Sequence, residues 1–166
     1  WLDPVHAVVF LNYKPIGRVV SKHLLLNRSP RLEEFFELAT TGVARFRIGF
    51  DTCTITGLAR LGRAPAVTIE GCDAGRFSMF VSEKMEAYPC SFMVDAGYPG
   101  IPLKDATLLQ VWKDAAGFRQ IRDQHRGPGC GSCRTRGECL SGCPLFPEMN
   151  LCPDQCVPQR TTALEE

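Results

Sequence analysis

Apolar positions come first as a dense run and then at helical spacing. Residues 6–13 (HAVVFLNY) are rich in Val and Phe and are closed by Lys14-Pro15-Ile16-Gly17. That pattern predicts a buried strand. Residues 30–40 (PRLEEFFELAT) follow Ser29, offer Pro30 as the first helical position, and set Leu32, Phe35, Phe36 and Leu38 near one face. A helix of about three turns is expected there. The strand pattern returns over 46–50 (FRIGF) and ends at Asp51 and Cys53. Strand, helix and strand in this order predict a βαβ unit with parallel strands, and Lys14 and Cys53 then lie at carboxyl ends, where functional groups gather.

The pattern changes further on. Residues 56–66 are rich in Gly and Arg without a period and are expected to form a loop with at most one helical turn. Residues 76–81 (RFSMFV) and 87–94 (AYPCSFMV) predict a hairpin turning at 82–86. Over 104–126, Leu108, Val111, Trp112, Phe118, Ile121 and Arg122 recur near helical spacing, with Gly117 a candidate break. Beyond 126 the chain is mostly Cys, Gly, Pro and polar residues, too poor in apolar area to order itself, so cross-links or metal must supply the order. The expected organisation is a first α/β segment over 1–60, a cysteine-rich segment over 61–160 and a frayed tail over 161–166.

Composition narrows the class of protein. With 45% hydrophobic and 22% charged residues and a net charge of +1, neither disorder nor an electrostatic claim on nucleic acid is indicated. No apolar run approaches the roughly 18–20 residues of a membrane-spanning helix. The chain starts at Trp1 inside an apolar pattern, with no targeting segment, so a truncated N-terminus and a cytoplasmic location are expected.

Cysteine is the compositional excess: nine residues, six of them between Cys130 and Cys156. An odd count suits a disulfide framework poorly, and C-x2-C pairs aim two thiolates at one metal ion or cluster. The densest run, CGSCRTRGECLSGC, spaces Cys130, Cys133, Cys139 and Cys143 as C-x2-C-x5-C-x3-C, with Gly129, Gly131, Gly137 and Gly142 interleaved. Glycine allows the positive φ angles that wrapping a cluster demands. Zinc in a non-catalytic interaction module is the alternative, since Zn²⁺ also accepts four thiolates.

This run resembles the centre of the SPASM domain that follows many radical-SAM barrels. The helix TLLQVWKDAAGFRQIRDQHRGPGC is similar to the family's helix carrying a Trp and an Arg before the first cysteine of the run. Cys72 and Cys90, separated by 17 residues and ending in Pro89-Cys90, resemble its earlier hairpin pair. Met85 stands where the family has Gly, five residues before the second cysteine of that pair. Asn150-Leu151-Cys152, with Cys156 behind, resembles the closing cysteine. More loosely, the first segment is similar to the last strands of a partial (β/α) barrel, and C-x3-C-x2-C, the motif that holds the S-adenosylmethionine-cleaving cluster, is absent from this sequence.

The resemblance implies the C-terminal portion of a radical-SAM enzyme that modifies a peptide or protein, with an external electron donor and S-adenosylmethionine used by the intact parent. This portion would not cleave S-adenosylmethionine alone. It implies two [4Fe–4S] clusters as electron relay or substrate anchor. Cys130, Cys133 and Cys139 with Cys152 would hold one, with Cys156 a spare or a substitute, and Cys72, Cys90 and Cys143 would turn to the other. Cys53, at a predicted strand end facing the same domain boundary, is expected to close that other cluster; without it one iron is open and could bind substrate. Ser91 stands where sulfatase-maturing members carry an Asp, so the resemblance does not extend to sulfatase maturation.

Other candidates are weaker. Lys14 and Arg18 in KPIGR could meet a carboxylate of S-adenosylmethionine or substrate, against the plainer reading of a solvated loop. Asp51 reads more simply as a helix cap. His6, His23 and His125 show no paired metal spacing. Arg119, Arg122, Arg126, Arg134 and Arg136 form a basic stretch suited to offsetting a cluster's negative charge or meeting a peptide.

Overall fold

The computed structural model describes residues 5–18, 20–42, 45–62, 70–126, 133, 139 and 142–151. Two strands, β1 (Ala7–Phe10) and β2 (Arg47–Phe50), pair in parallel, with Phe10 opposite Phe50. Helix α1 (Leu32–Thr40) connects them, which is the expected βαβ order. It starts two residues later than its Pro30 signal because Arg31 takes the N-cap position. Phe35 meets Phe10 edge-on at 5.0 Å and Phe36 stacks on Phe50 at 5.7 Å, so α1 seals one face of the pair. The other face is open: Val9 is 60% and Leu11 is 71% exposed. The expectation of a buried strand therefore holds for one face only, and alternate residues of a strand point to opposite faces.

Where a loop was expected, a 3-10 turn (Thr52–Thr54) leads into helix α2 (Ile55–Leu61). Weak intrinsic propensity is overridden by packing. Thr54, Ile55, Thr56 and Gly57 are buried, and a Cβ at Gly57 would collide with the Phe36 ring and with Leu151 Cδ1. Glycine is the residue that lets α2 lie this close to α1 and to the last described segment.

The hairpin exists but is shorter than expected, with β3 (Phe80–Val81) antiparallel to β4 (Glu86–Tyr88) and a further strand, β5 (Ile101–Pro102), on the far side of β4. Residues 76–78 are not strand, because their amides all bond to Asp73 O in a tight turn. Residues 89–94 are not strand either. Pro89 has no amide for a ladder, and the chain turns through Cys90 into a one-turn helix, α3 (Phe92–Asp95). At the hairpin turn, Met85 has φ 57°, the left-handed conformation that a glycine would adopt freely.

The expected long helix is two: α4 (Leu108–Asp114) and α5 (Ala116–Arg126). The break falls at Ala115, which is extended at ψ 132°, rather than at Gly117. Thr107 and Gln110 cap α4 reciprocally. Arg122 joins the pieces, donating from Nη2 to Trp112 O at 2.5 Å and from Nε to Gly75 O at 2.6 Å, with its guanidinium 4.7 Å from the Trp112 ring centre. Among the described residues no helix is long and apolar enough to cross a membrane.

Candidate metal centre

Four segments bring one cysteine each to a single buried core. Cys53 sits in the 3-10 turn at the carboxyl end of β2, Cys72 opens the Asp73 turn, Cys90 follows β4, and Cys143 begins the segment that reaches Leu151. Cys72 and Cys143 belong to a core built from Leu25, Tyr88, Met93, Leu145 and Met149, and Cys53 and Cys90 pack against its edge. These four are free thiols.

Their electrostatic environments show that they are mutual neighbours. Burial pushes the Cys53 thiol up to about 12; the Lys14 ammonium opposes the shift, and the Asp51 carboxylate and then the Cys72 and Cys90 sulfurs add to it. Cys143 is likewise pushed up to about 12, by burial first and then by Cys53 and Cys72. Cys72 rises to about 11, by burial and then by Cys90. Burial also raises Cys90. Uncharged thiols of this kind must lose protons to bind metal, so the site is a place where ligation and deprotonation are coupled.

Three of the sulfurs also face backbone donors. The Ala74 amide beside Cys72, the Phe92 amide beside Cys90, and the Phe146 and Leu145 amides beside Cys143 work against the upward push of burial. Amides aimed at a thiolate favour its charged form, the state that ligates metal. The loops are tied together behind the sulfurs. The Gly75 amide donates to Pro89 O at 3.0 Å, joining the Cys72 and Cys90 segments, and the Arg76 guanidinium donates to Cys72 O at 3.0 Å.

Cys143 is held from behind by Asn150, whose Oδ1 accepts the Cys143 amide at 2.8 Å and whose Nδ2 donates to Cys143 O at 3.2 Å. Gly142, at φ 72°, leaves room for that amide, and a Cβ there would strike it. The Leu151 amide donates to Thr56 Oγ1 at 2.8 Å, fixing the segment to α2.

Cys53 is positioned by a polar cluster. Asn12, 3% exposed, donates from Nδ2 to Cys53 O at 2.9 Å and to Met149 O at 3.3 Å. Asp51 accepts from the Asn12 amide at 3.2 Å, from Thr54 Oγ1 at 2.5 Å and from Lys14 Nζ at 2.9 Å. Asp51 does occupy the cap position of the 3-10 turn, yet its carboxylate binds side chains and the Asn12 amide in place of the turn's own backbone. Lys14 is not in a solvated loop, its side chain being 12% exposed, whereas Arg18 is exposed. The basic pair is therefore divided, and only Lys14 reaches the cysteines.

Cys139 is buried and Cys133 half-buried, and Ser91 is exposed at the start of α3. Cys130, Cys152 and Cys156, together with Arg134 and Arg136, lie outside the described residues. Reading the sequence by residue type missed Asn12 and Thr56. A buried amide at the end of an apolar strand, in VFLNY, is the signal that could have found Asn12, because such a group must be hydrogen-bonded.

Known proteins can now be set beside this geometry. No family model matches the chain. Mycofactocin maturase MftC of Mycobacterium ulcerans (strain Agy99) is 36% identical over 88 residues, covering 52% of this chain and 24% of that protein. MftC of Mycobacterium tuberculosis (strain ATCC 25618 / H37Rv) is 33% identical over 88 residues, covering 52% of this chain and 22% of that protein. The chain thus spans about a quarter of the length of the curated relatives it matches. The crystal structure of Streptococcus suis SuiB superposes with a TM-score of 0.56 at 18% identity, over 92% of this chain and 39% of that one. SuiB bound to S-adenosylmethionine gives 0.50 at 17% identity, over 92% and 38%.

Over about half of its length this chain has a radical-SAM enzyme, mycofactocin maturase MftC, among its homologues. The expected resemblance to radical-SAM enzymes is thus shown at partial coverage, and the mixed α/β fold is similar to that of SuiB. At 18% identity the SuiB likeness is one of fold.

Proposed function

We propose that this chain is the C-terminal, auxiliary-cluster-bearing part of a cytoplasmic radical-SAM enzyme that modifies a peptide or protein. In this reading β1, α1 and β2 are the last βαβ unit of a partial barrel. The parallel pairing, the open apolar face of β1 and the SuiB likeness support that assignment. The cysteine-rich part, 61–160, is a SPASM-like domain. The convergence of Cys53, Cys72, Cys90 and Cys143 from four segments onto one core is the observation that carries the proposal.

The donor set fits a [4Fe–4S] cluster: four thiols, three of them facing amide donors, in a largely water-excluded core. A single zinc ion fits less well. One zinc ion needs at most four thiolates, and the sequence carries nine cysteines, five of them beyond these four. With Cys53 as the fourth ligand, this cluster is closed and suited to passing electrons from an external donor. The second cluster takes Cys130, Cys133, Cys139 and Cys152, with Cys156 spare. S-adenosylmethionine and the peptide substrate belong to the intact parent, consistent with the relatives' being a mycofactocin maturase and SuiB.

Anaerobic reconstitution with iron and sulfide, followed by metal counts and Mössbauer spectra, tests this. Wild type should hold two clusters. Cys53→Ala should convert one cluster to a site-differentiated spectrum or lose its iron. An unchanged spectrum in Cys53→Ala would retire the closed cluster, and stoichiometric zinc without sulfide would retire the clusters altogether. Iron lost from Cys156→Ala would move the spare role to Cys152.

A further inference from the structure

Beside Cys53 stands an ammonium that the protein has taken out of water. The Lys14 side chain is 12% exposed, with Nζ 2.9 Å from Asp51 Oδ2 and 3.3 Å from Asn12 O. It also lies 4.5 Å from the centre of the Phe92 ring, and Phe92 is the residue whose amide faces Cys90. Lys14 therefore stands between the segments that deliver Cys53 and Cys90. Asp51, which fixes it, is itself fixed by the Asn12 amide and by Thr54 Oγ1. A strongly hydrated ammonium is costly to bury, and one carboxylate offsets that cost only in part.

We infer that Lys14, held by Asp51, is a charge partner of the cluster ligated by Cys53, and that this pair sets the cluster's reduction potential. The inference rests on the proposed ligand set. Lys14 acts on both Cys53 and Cys90, and the Asp51 carboxylate acts on Cys53 with the opposite sign. A cluster gains negative charge when it accepts an electron, so a fixed cation beside it favours the reduced form and raises the potential, while an anion does the reverse. Lys14 and Asp51 thus act with opposite signs on the same cluster. Lys14 is a positioning and tuning residue here, acting through the cluster without ligating it.

The test uses the full chain, reconstituted anaerobically and titrated with dithionite under EPR, with the relevant signal identified by its loss in Cys72→Ala. Wild type, Lys14→Met, Lys14→Arg and Asp51→Asn are compared, each with iron and sulfide counted first. Lys14→Met should keep its iron and shift to a more negative potential, Asp51→Asn should shift less negative, and Lys14→Arg should stay near wild type. Potentials that do not move in Lys14→Met, or that move in the same direction in Lys14→Met and Asp51→Asn, would overturn the inference while leaving the cluster intact. Loss of iron from both Lys14 variants would also overturn it, since that marks a role in assembly. Failure of the underlying ligand set reads differently: Cys72→Ala would then hold as much iron as wild type, and the inference would fall with it.

Discussion

Asn150 clasps Cys143 by both backbone groups at once, accepting its amide at 2.8 Å and donating to its carbonyl at 3.2 Å. An Asp at this position can accept but cannot donate when ionised, so Asn150→Asp leaves the buried Cys143 carbonyl without its donor and adds an anion beside a thiol. Asn150→Ala removes both bonds. Each unsatisfied buried group costs about 1–3 kcal/mol. Both variants should lower stability by about 2 kcal/mol or more in anaerobic urea unfolding, and Asn150→Asp should take up less iron than Asn150→Ala.

Gly57 is the close approach between α2, the Phe36 ring and Leu151. Gly57→Ala should destabilise by about 1–3 kcal/mol, the usual range for overpacking, even though alanine is the better helix former. Gly49→Ala is the control. Its Cβ would find Val9 Cγ2 at 3.5 Å, an ordinary contact, so its midpoint in the same unfolding experiment should stay close to wild type.

Met85 holds a left-handed turn and is 61% exposed. Glycine removes the steric cost of that conformation, about 1–2 kcal/mol, and loses about 0.5–1 kcal/mol to unfolded-state entropy. Met85→Gly should therefore raise stability by up to about 1 kcal/mol by thermal unfolding, and Met85→Val should lower it.

Thr107 caps α4 at a distance from the cysteines in sequence, with Gln110 completing the box. Thr107→Ala should cost about 1 kcal/mol of stability and leave iron content unchanged. A loss of iron would mean that the helix start is coupled to the centre.

The βαβ unit was legible because its period and Phe-rich helix face are local, and Phe10, Phe35 and Phe50 then pack as the pattern implies. Cys53 was legible as a candidate from its place at a strand end. Helix α2 was not, because Gly57 and Thr56 look like loop residues until the Phe36 ring and the Leu151 amide are beside them. The 87–94 run looked like strand on its apolar content, and Pro89 with the turn at Cys90 overrode that. Lys14 was the harder case. KPIGR carries no local sign that one of its cations is buried, since burial depends on Asp51, 37 residues away. Partners remote in sequence left the least trace.

Asn12 reaches across 137 residues to Met149, closing the carboxyl end of the first strand with the last described segment. During synthesis, that bond cannot form until residue 149 has left the ribosome, so Cys53 and Cys72 emerge before the segment that completes their pocket. Closing so long a loop also adds to the entropic barrier of folding. The pocket around Cys53 is therefore complete only once the segment that carries Cys143 and Met149 has joined the first strand.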